Sequence, residues 1–467
     1  MAIALPAGAS LPSLPAHPDP RLDEAAASGL LHELAHAFGG PFHLLVPERL
    51  DANAAAFRAA LAEAGVTGRV YYAKKANKAA AFVERCAATG TGVDVASAGE
   101  LREALGHGVR GEDLVVTGPA KDPALLRVAV LQGALIAVDA LDELDRIVEV
   151  ARAGPARPAR VLLRRLPPTQ PHSRFGLDEA ELDKALARCA EAGPLVRMEG
   201  FSFHLSGYAV QPRADLAGQL VEQCLRARTM GLPADRVSIG GGFAVDYAAA
   251  DDWHTFLATQ RPAHYHAGKT FTAGDFYPYH SPVAGAAALR AVLATRPDGG
   301  GVTLAARLRE TGTELLLEPG RALLDGAGHS VFRVQGVKDR AGYALVTVDG
   351  TSLSLSEQWF ASEYLPEPRL VRAPDRSGGR QAGAGEVHPA SVGAATCLES
   401  DMLSWRKIPF PARPAPGDLL VYPNTAGYQM DSNESPFHDL PLPPKAVLEP
   451  AAAGGRPRWR LDRRPPL

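Results

Sequence analysis

Cysteine is scarce in this chain. Four residues in 467, at positions 86, 189, 224 and 397, stand far apart with no metal-ligand spacing. That argues against a disulfide scaffold and a zinc site, and suits a reducing compartment. No apolar run reaches the length needed to span a membrane. Residues 1–20 lack a basic region ahead of their weakly apolar stretch and are broken by prolines, so no signal peptide is expected. Charge of one sign is lacking too: a formal net charge of −3 leaves no basic footprint for nucleic acid or anionic lipid. The expectation is a cytoplasmic protein that handles a small molecule, with no metal, nucleic acid or membrane as partner.

What is present is alternation. Apolar runs of strand length fall at 69–73, 92–95, 114–117, 134–138, 160–164, 201–204, 236–239 and 314–317. Between them lie segments with helix-period apolar positions, among them 98–106, 141–152 and 178–191. Eight strand–helix units predict an α/β fold, a parallel (β/α)8 barrel of the TIM type, better than an open doubly wound sheet. After residue 321, strand-like runs at 331–337, 344–348 and 419–422 follow without long helices, which predicts an antiparallel β domain. The expected division is an N-terminal segment over 1–42 that partly joins the β domain, a barrel over 43–325, the β domain over 326–445 and a tail over 446–467. Spacing between 242 and 314 is about double that of the other units, so an insertion is expected over about 251–303. It is rich in aromatics and histidine, and either shapes a pocket or packs its own rings. A loop is expected over 375–389 and a frayed chain from Ala451.

The polar residues cluster by position. Lys75, Asp94, His204, the Gly240-Gly241-Gly242 turn and Glu318 all fall at or just past the carboxyl end of an expected strand, the face where a barrel places its active site. A strand-end lysine is a solvated cap or, if desolvated or near a charge, a nucleophile. Glu318-Pro-Gly-Arg321 puts a carboxylate and a guanidinium on one tight turn, and Arg321 suits a phosphate. Three glycines make a plain turn or present bare N–H groups to the same phosphate. A phosphate site beside a lysine points to pyridoxal 5'-phosphate. That cofactor needs an imine-forming amine, a partner for its pyridine nitrogen, a group on its ring face and phosphate anchors. Lys75, Glu318, His204 and the Gly240–Gly242/Arg321 pair supply one of each, although a lone histidine is equally a structural one.

These residues lie in motifs. Tyr72-Ala-Lys-Lys-Ala-Asn77, Asp94-Val-Ala-Ser-Ala-Gly-Glu-Leu101, Ser173-Arg-Phe-Gly176, Phe203-His-Leu-Ser-Gly207, Gly240-Gly-Gly-Phe243 and Glu318-Pro-Gly-Arg321 occur in that order. Asp349-Gly350, Cys397-Leu-Glu-Ser-Asp401 and Ala426-Gly-Tyr428 complete the series. From about Gly40 to Tyr428 the chain resembles the fold-type III pyridoxal-phosphate decarboxylases, the diaminopimelate, ornithine and arginine decarboxylase group, whose barrel is of the alanine racemase type. The resemblance implies that Lys75, not Lys74, carries the Schiff base and that Asp94 lies beside it. It further implies that His204 stacks on the ring, Glu318 pairs with the pyridine nitrogen, and Ser206 and Tyr428 help hold phosphate. Asp349, Glu399 and Asp401 fall at substrate-binding positions. It implies α-decarboxylation through an external aldimine and a quinonoid, with Cys397 reprotonating the α-carbon across a homodimer that shares its active site.

Departures from the pattern bear on the substrate. The usual Cys-Glu or Cys-Asp pair is Cys397-Leu398, with Glu399 one place on. Ser206 and Gly207 are exchanged relative to the common order. No Arg-Pro-x-Leu-Tyr element is present, and Phe360-Ala-Ser-Glu-Tyr364 occupies its region. His-Leu-Ser-Gly, Phe276-Tyr-Pro-Tyr279 and Asn424-Thr-Ala-Gly-Tyr428 are more similar to the siderophore-biosynthesis branch, whose enzymes act on an amino acid joined to a larger acid. The alternatives are a racemase of the same fold and a non-catalytic protein that keeps the fold.

Overall fold

Short β-branched and leucine-rich runs alternating with helices set the larger half of the molecule. The computed structural model describes residues 11–154, 157–356, 360–376, 387–449 and 457–462. These form two compact units, one built from 50–244 and 283–323 and the other from 11–49, 245–282 and 324–462. The segment 245–282 is thus part of the second unit, while 283–323 belongs to the barrel.

The first unit is the closed parallel barrel: β2 (Gly68–Ala73), β3 (Gly92–Val95), β4 (Leu114–Val116), β5 (Leu135–Val138), β6 (Ala159–Arg165), β7 (Val196–Phe203), β8 (Arg236–Ser238) and β9 (Glu314–Leu317). Pairing of Val70 with Leu317 closes it. The expected eight strands are all present. β7 starts five residues earlier than the 201–204 run and ends at Phe203, because the charged stretch before Gly200 pairs with β6 at the barrel floor, where Arg160 meets Glu199 at 2.8 Å. Inside, Tyr71, Val115, Leu135, Leu162 and Leu316 form one buried cluster. Some helix starts are fixed by side-chain caps. Asp178 and Glu181 make a reciprocal capping box, and Asp122 caps a helix that opens with Pro123.

The second unit is a nine-stranded sheet. Its path runs β14 (Met402–Phe410), β13 (His388–Gly393), β11 (Tyr343–Val348), β10 (Gly328–Arg340), β1 (Phe42–Leu45), β16 (Lys445–Glu449) and β17 (Arg458–Leu461); β15 (Leu419–Tyr422) pairs with β10 and β12 (Arg369–Val371) with β15. The N-terminal segment joins it as expected, and 43–45, expected in the barrel, also belong to this sheet as most of β1, which lies between β10 and β16. Helices Pro20–Ala27 and Leu30–Phe38 cover one face, burying Leu22, Leu31 and Leu34 against Val331 and Val421. The fraying expected after Ala451 does not extend to 458–461. There β17 pairs with β16, and the Trp459 ring lies 5.5 Å from Phe38, an apolar anchor that a composition reading undervalues. Of the loop expected over 375–389, residues 377–386 lie outside the described residues and His388 and Pro389 already belong to β13. Among the described residues no helix is long and apolar enough to cross a membrane.

One backbone contact holds the barrel's register. At Gly200, where β7 bulges against β6, an added Cβ would stand 1.8 Å from the Arg236 carbonyl oxygen. Gly200→Ala should therefore force β7 and β8 apart and cost ~3 kcal/mol, read as a lower urea midpoint.

Candidate active site

The site starts where β2 ends. Lys74–Ala76 turns as one 3-10 step, which sends adjacent lysines in different directions. Lys74 is buried, with Nζ 2.7 Å from Glu103 Oε2. Lys75 keeps 51% of its side chain exposed and places Nζ 3.2 Å from Asp94 Oδ2. Ala73 pairs with Asp94 between β2 and β3, so strand register delivers the carboxylate to the amine. Asp94 is itself buried, and its other oxygen accepts from the Thr117 hydroxyl just past β4.

Opposite stands Glu318, one residue beyond β9. Its Oε1 accepts from the Ser238 hydroxyl at 2.6 Å, while Ser238 Oγ accepts from the Gly240 amide at 3.2 Å. Burial pushes the Glu318 carboxyl up to about 7, and the negative Asp94 adds to this; Ser238, Lys75 and Arg164 only partly offset it. Two carboxylates thus share one lysine. A site in that state fits a further cation, and a protonated pyridine ring is one.

The turns after β7 and β8 are tied from behind by Arg213. From the helix Val210–Thr229 it donates to the Ile239 carbonyl at 2.9 Å and the Gly207 carbonyl at 3.0 Å. A Cβ at Gly242 would come 2.2 Å from its Nη2, and one at Gly241 would come 2.8 Å from the Glu318 carbonyl oxygen. Gly242 also sits at φ +80, which favours glycine. Glycine is required here because the turn is packed from inside. Among the described residues no group accepts from the Gly241 or Gly242 amide, the arrangement an anion cradle needs. Arg321 is buried in the turn that follows Glu318.

His204 follows β7 and is exposed, its ring 5.1 Å from Phe175. Partial burial and then the positive charges of Lys75, Arg164 and Arg213 lower it to about 4, so it is a neutral imidazole at physiological pH. Phe175 has the Arg164 guanidinium 5.5 Å from its centroid and that of Arg174 at 4.6 Å. Arg164 donates to Asp139 at 2.9 Å and to the Thr117 carbonyl, and Asp139 accepts from the Gly176 amide at 2.9 Å. One polar chain therefore runs from Asp94 through Thr117, Arg164 and Asp139 to the Ser173–Gly176 loop beside His204. Ser206 is exposed, and its amide approaches Gln170 Oε1 at 3.4 Å.

The remaining candidates lie in the β unit. Cys397 is exposed on the loop between β13 and β14, with Sγ 3.3 Å from His438 Nε2. Asp401 shapes that loop: its oxygens accept from the Ser352 amide at 2.8 Å and the Thr396 hydroxyl at 2.6 Å. The Gly350 carbonyl accepts from the Ala395 amide at 2.9 Å, which joins the Asp349-Gly350 turn to the same loop. Asp349 is buried, accepts from the Arg333 amide at 2.7 Å and is pushed up to about 6, chiefly by burial. Glu399 is exposed. Tyr428 adopts φ +79, an uncommon backbone for a tyrosine, and its carbonyl accepts from Ser432 Oγ at 2.6 Å.

Sequence reasoning missed Thr117, Arg164 and Ser238, although each stands at or just past a strand's carboxyl end and that signal was available. Arg213 and His438 carried none; only the fold brings them to the turns and to the thiol.

Known proteins similar to this chain point to one family. Residues 48–275 match the family model described as the pyridoxal-dependent decarboxylase, pyridoxal binding domain. The uncharacterized protein y4yA of Sinorhizobium fredii is 37% identical over 437 residues, covering 93% of each chain. The diaminopimelate decarboxylase of Deinococcus radiodurans is 29% identical over 430 residues, 89% of this chain and 92% of its own. A solved structure of diaminopimelate decarboxylase from Helicobacter pylori complexed with L-lysine shares the fold, with a TM-score of 0.66 at 18% identity over 91% of this chain and 93% of that one.

Two outcomes follow from the site. Cys86, Cys189 and Cys224 are buried and burial pushes each thiol up, so iodoacetamide on the native protein should label Cys397 alone, read by peptide mass mapping. Glu318 holds its proton to about 7 when folded but only to its ordinary 4.5 when unfolded. The folded chain then binds more protons between those values, so cofactor-free protein should lose stability as pH rises through that window, and Glu318→Gln should flatten this component in urea unfolding series.

Proposed function

We propose that this chain, which belongs to the fold-type III pyridoxal-phosphate-dependent decarboxylases, removes the α-carboxyl group of an amino acid joined to a larger acid. The coarse activity, a pyridoxal-phosphate-dependent amino-acid carboxy-lyase, comes with the family. The observation that carries the residue roles is Lys75 at 3.2 Å from Asp94, opposite a Glu318 carboxyl held high by burial.

Pyridoxal phosphate, when bound, supplies an electron sink for the pair released as the carboxyl carbon leaves. Lys75 would hold the cofactor through its aldehyde, and Asp94, 3.2 Å away, would orient that amine. Glu318, whose carboxyl is held up first by burial and then by the negative Asp94, would supply and keep a proton at the pyridine nitrogen. His204, neutral in this setting, suits contact with a cationic ring face. The Gly241 and Gly242 amides and Arg321 take the phosphate. Cys397 returns one proton to the α-carbon, so the products balance as carbon dioxide and an amine. The family resemblance assigns Asp349 and Glu399 to the rest of the substrate, and Ser206 and Tyr428 to the phosphate. The reading takes the working unit as a homodimer that shares its sites.

The choice of a conjugate over free diaminopimelate rests on the motifs of the siderophore-biosynthesis branch and on the 360–364 region. Glu363 is buried there and accepts the Arg406 amide at 3.0 Å, so that segment serves the interior of the sheet.

Borohydride reduction and peptide mapping should place the cofactor on Lys75, and a substrate panel should release carbon dioxide from acid-conjugated amino acids faster than from free diaminopimelate. Glu318→Gln should lower kcat by about 100-fold or more while leaving the cofactor attached. Rapid turnover of free diaminopimelate removes the substrate reading. Production of the opposite enantiomer without carbon dioxide removes the decarboxylase assignment.

A further inference from the structure

On β14, Arg406 and Lys407 are neighbours and almost equally buried, at 1% and 2% exposed. Strand alternation sends their side chains to opposite faces. Arg406 is met by a carboxylate: its Nη1 lies 3.3 Å from Glu367 Oε1, and its guanidinium also donates to the carbonyls of Leu365 and Pro12 at 2.8 and 2.9 Å. Lys407 is not. Its Nζ donates to the Ala263 carbonyl at 2.7 Å and lies 4.2 Å from the centroid of the Tyr343 ring. No carboxylate pairs with it among the described residues. Burial lowers the ammonium, and no acid opposes that shift.

Trp405, two residues back, shares the Lys407 face. The Lys269 ammonium lies 3.8 Å from its ring centroid and 5.2 Å from that of Phe271, and no salt bridge involves Lys269 among the described residues. His266 closes the group, with Nδ1 2.7 Å from the Tyr343 hydroxyl and its ring 6.0 Å from Trp405. The charges that bear on the group are few. Glu399 and Lys338 act on His266, and Glu363, already accepting the Arg406 amide, acts on Lys269. An ammonium offers three donors, and aromatic faces satisfy charge without using them up. Two amines without acids on a floor of indole and phenol, one of them buried, make a receptor for an anion with more than one carboxylate.

We propose that the Trp405/Lys407 face of β14, together with the 262–271 segment, binds a small di- or tricarboxylate, with Lys269 and Lys407 each taking a carboxylate. This goes beyond the reaction assigned to the barrel and holds whether or not that reaction is as read. The ligand is either a free polycarboxylate or the acidic arm of a larger molecule; the recognition chemistry is the same.

The test is calorimetric titration of the cofactor-loaded protein with citrate, tricarballylate and acetate at constant ionic strength. Citrate and tricarballylate should bind saturably and acetate should not, and Lys269→Gln and Lys407→Met should each weaken citrate by about tenfold or more. Lys269 stands at the rim, so its variant keeps the test valid if the buried Lys407 variant folds poorly. Lys75→Ala, which alters only the barrel's amine, should leave citrate binding intact, separating this site from the catalytic one. Where a turned-over substrate is in hand, competitive inhibition by citrate identifies the acidic arm of that substrate and non-competitive behaviour identifies a free ligand. The proposal is overturned by absence of saturable binding, by heats that potassium chloride reproduces, or by binding that survives both lysine substitutions.

Discussion

Two carboxylates competing for one lysine is the constraint around which the barrel mouth is arranged. Asp94 takes the Lys75 amine directly, and Glu318, largely withdrawn from water, has the Ser238 hydroxyl as its only hydrogen-bond donor among the described residues. Left alone, that is a poor use of a buried acid, because an unpaired carboxylate in a low dielectric holds its proton instead of its charge. The arrangement makes sense when a cationic ring completes it. Nearby, His204 is held neutral by partial burial and its cationic neighbours, and Arg164 is spent on Asp139 and not on Glu318.

The barrel contributes position more than chemistry. Parallel register sets Ala73 beside Asp94, and Ser238 beside Leu316 one step before the Glu318 turn, so strand geometry fixes both acid contacts. Arg213 then consumes the inward carbonyls of two turns, which leaves their amides free. A buried arginine bound to carbonyls is a costly support, and burial lowers it to about 10; its use here is to hold glycine turns that have no side chains of their own.

The β unit applies the opposite policy to charge on its two faces. Behind β14, Arg406 is met by a carboxylate and two carbonyls; in front, Lys407 and Lys269 rest on rings. The Cys397 loop is held from below by Asp401, whose oxygens are committed to Ser352 and Thr396. The Cys397 side chain is thereby exposed while the loop's backbone is fixed.

The eight strand ends, the family and the cofactor were legible in the linear chain, because period-2 apolar runs and strand-terminal polar residues are local patterns. So was the joining of the N-terminal segment to the β sheet. The choice between Lys74 and Lys75 followed from motif alone; in the structure Lys74 is buried against Glu103, and Lys75 stays half exposed beside Asp94. Thr117, Arg164 and Ser238 could have been found from their strand ends, whereas Arg213 and His438 could not, because their partners are distant in sequence and share no pattern with them. The pairing of β17 through Trp459 was hidden for the same reason. Composition and periodicity determined which elements form and which chemistry they carry. Tertiary structure alone decided which charges are answered and which are left for a ligand, since neutralisation depends on distance through space and not on order along the chain.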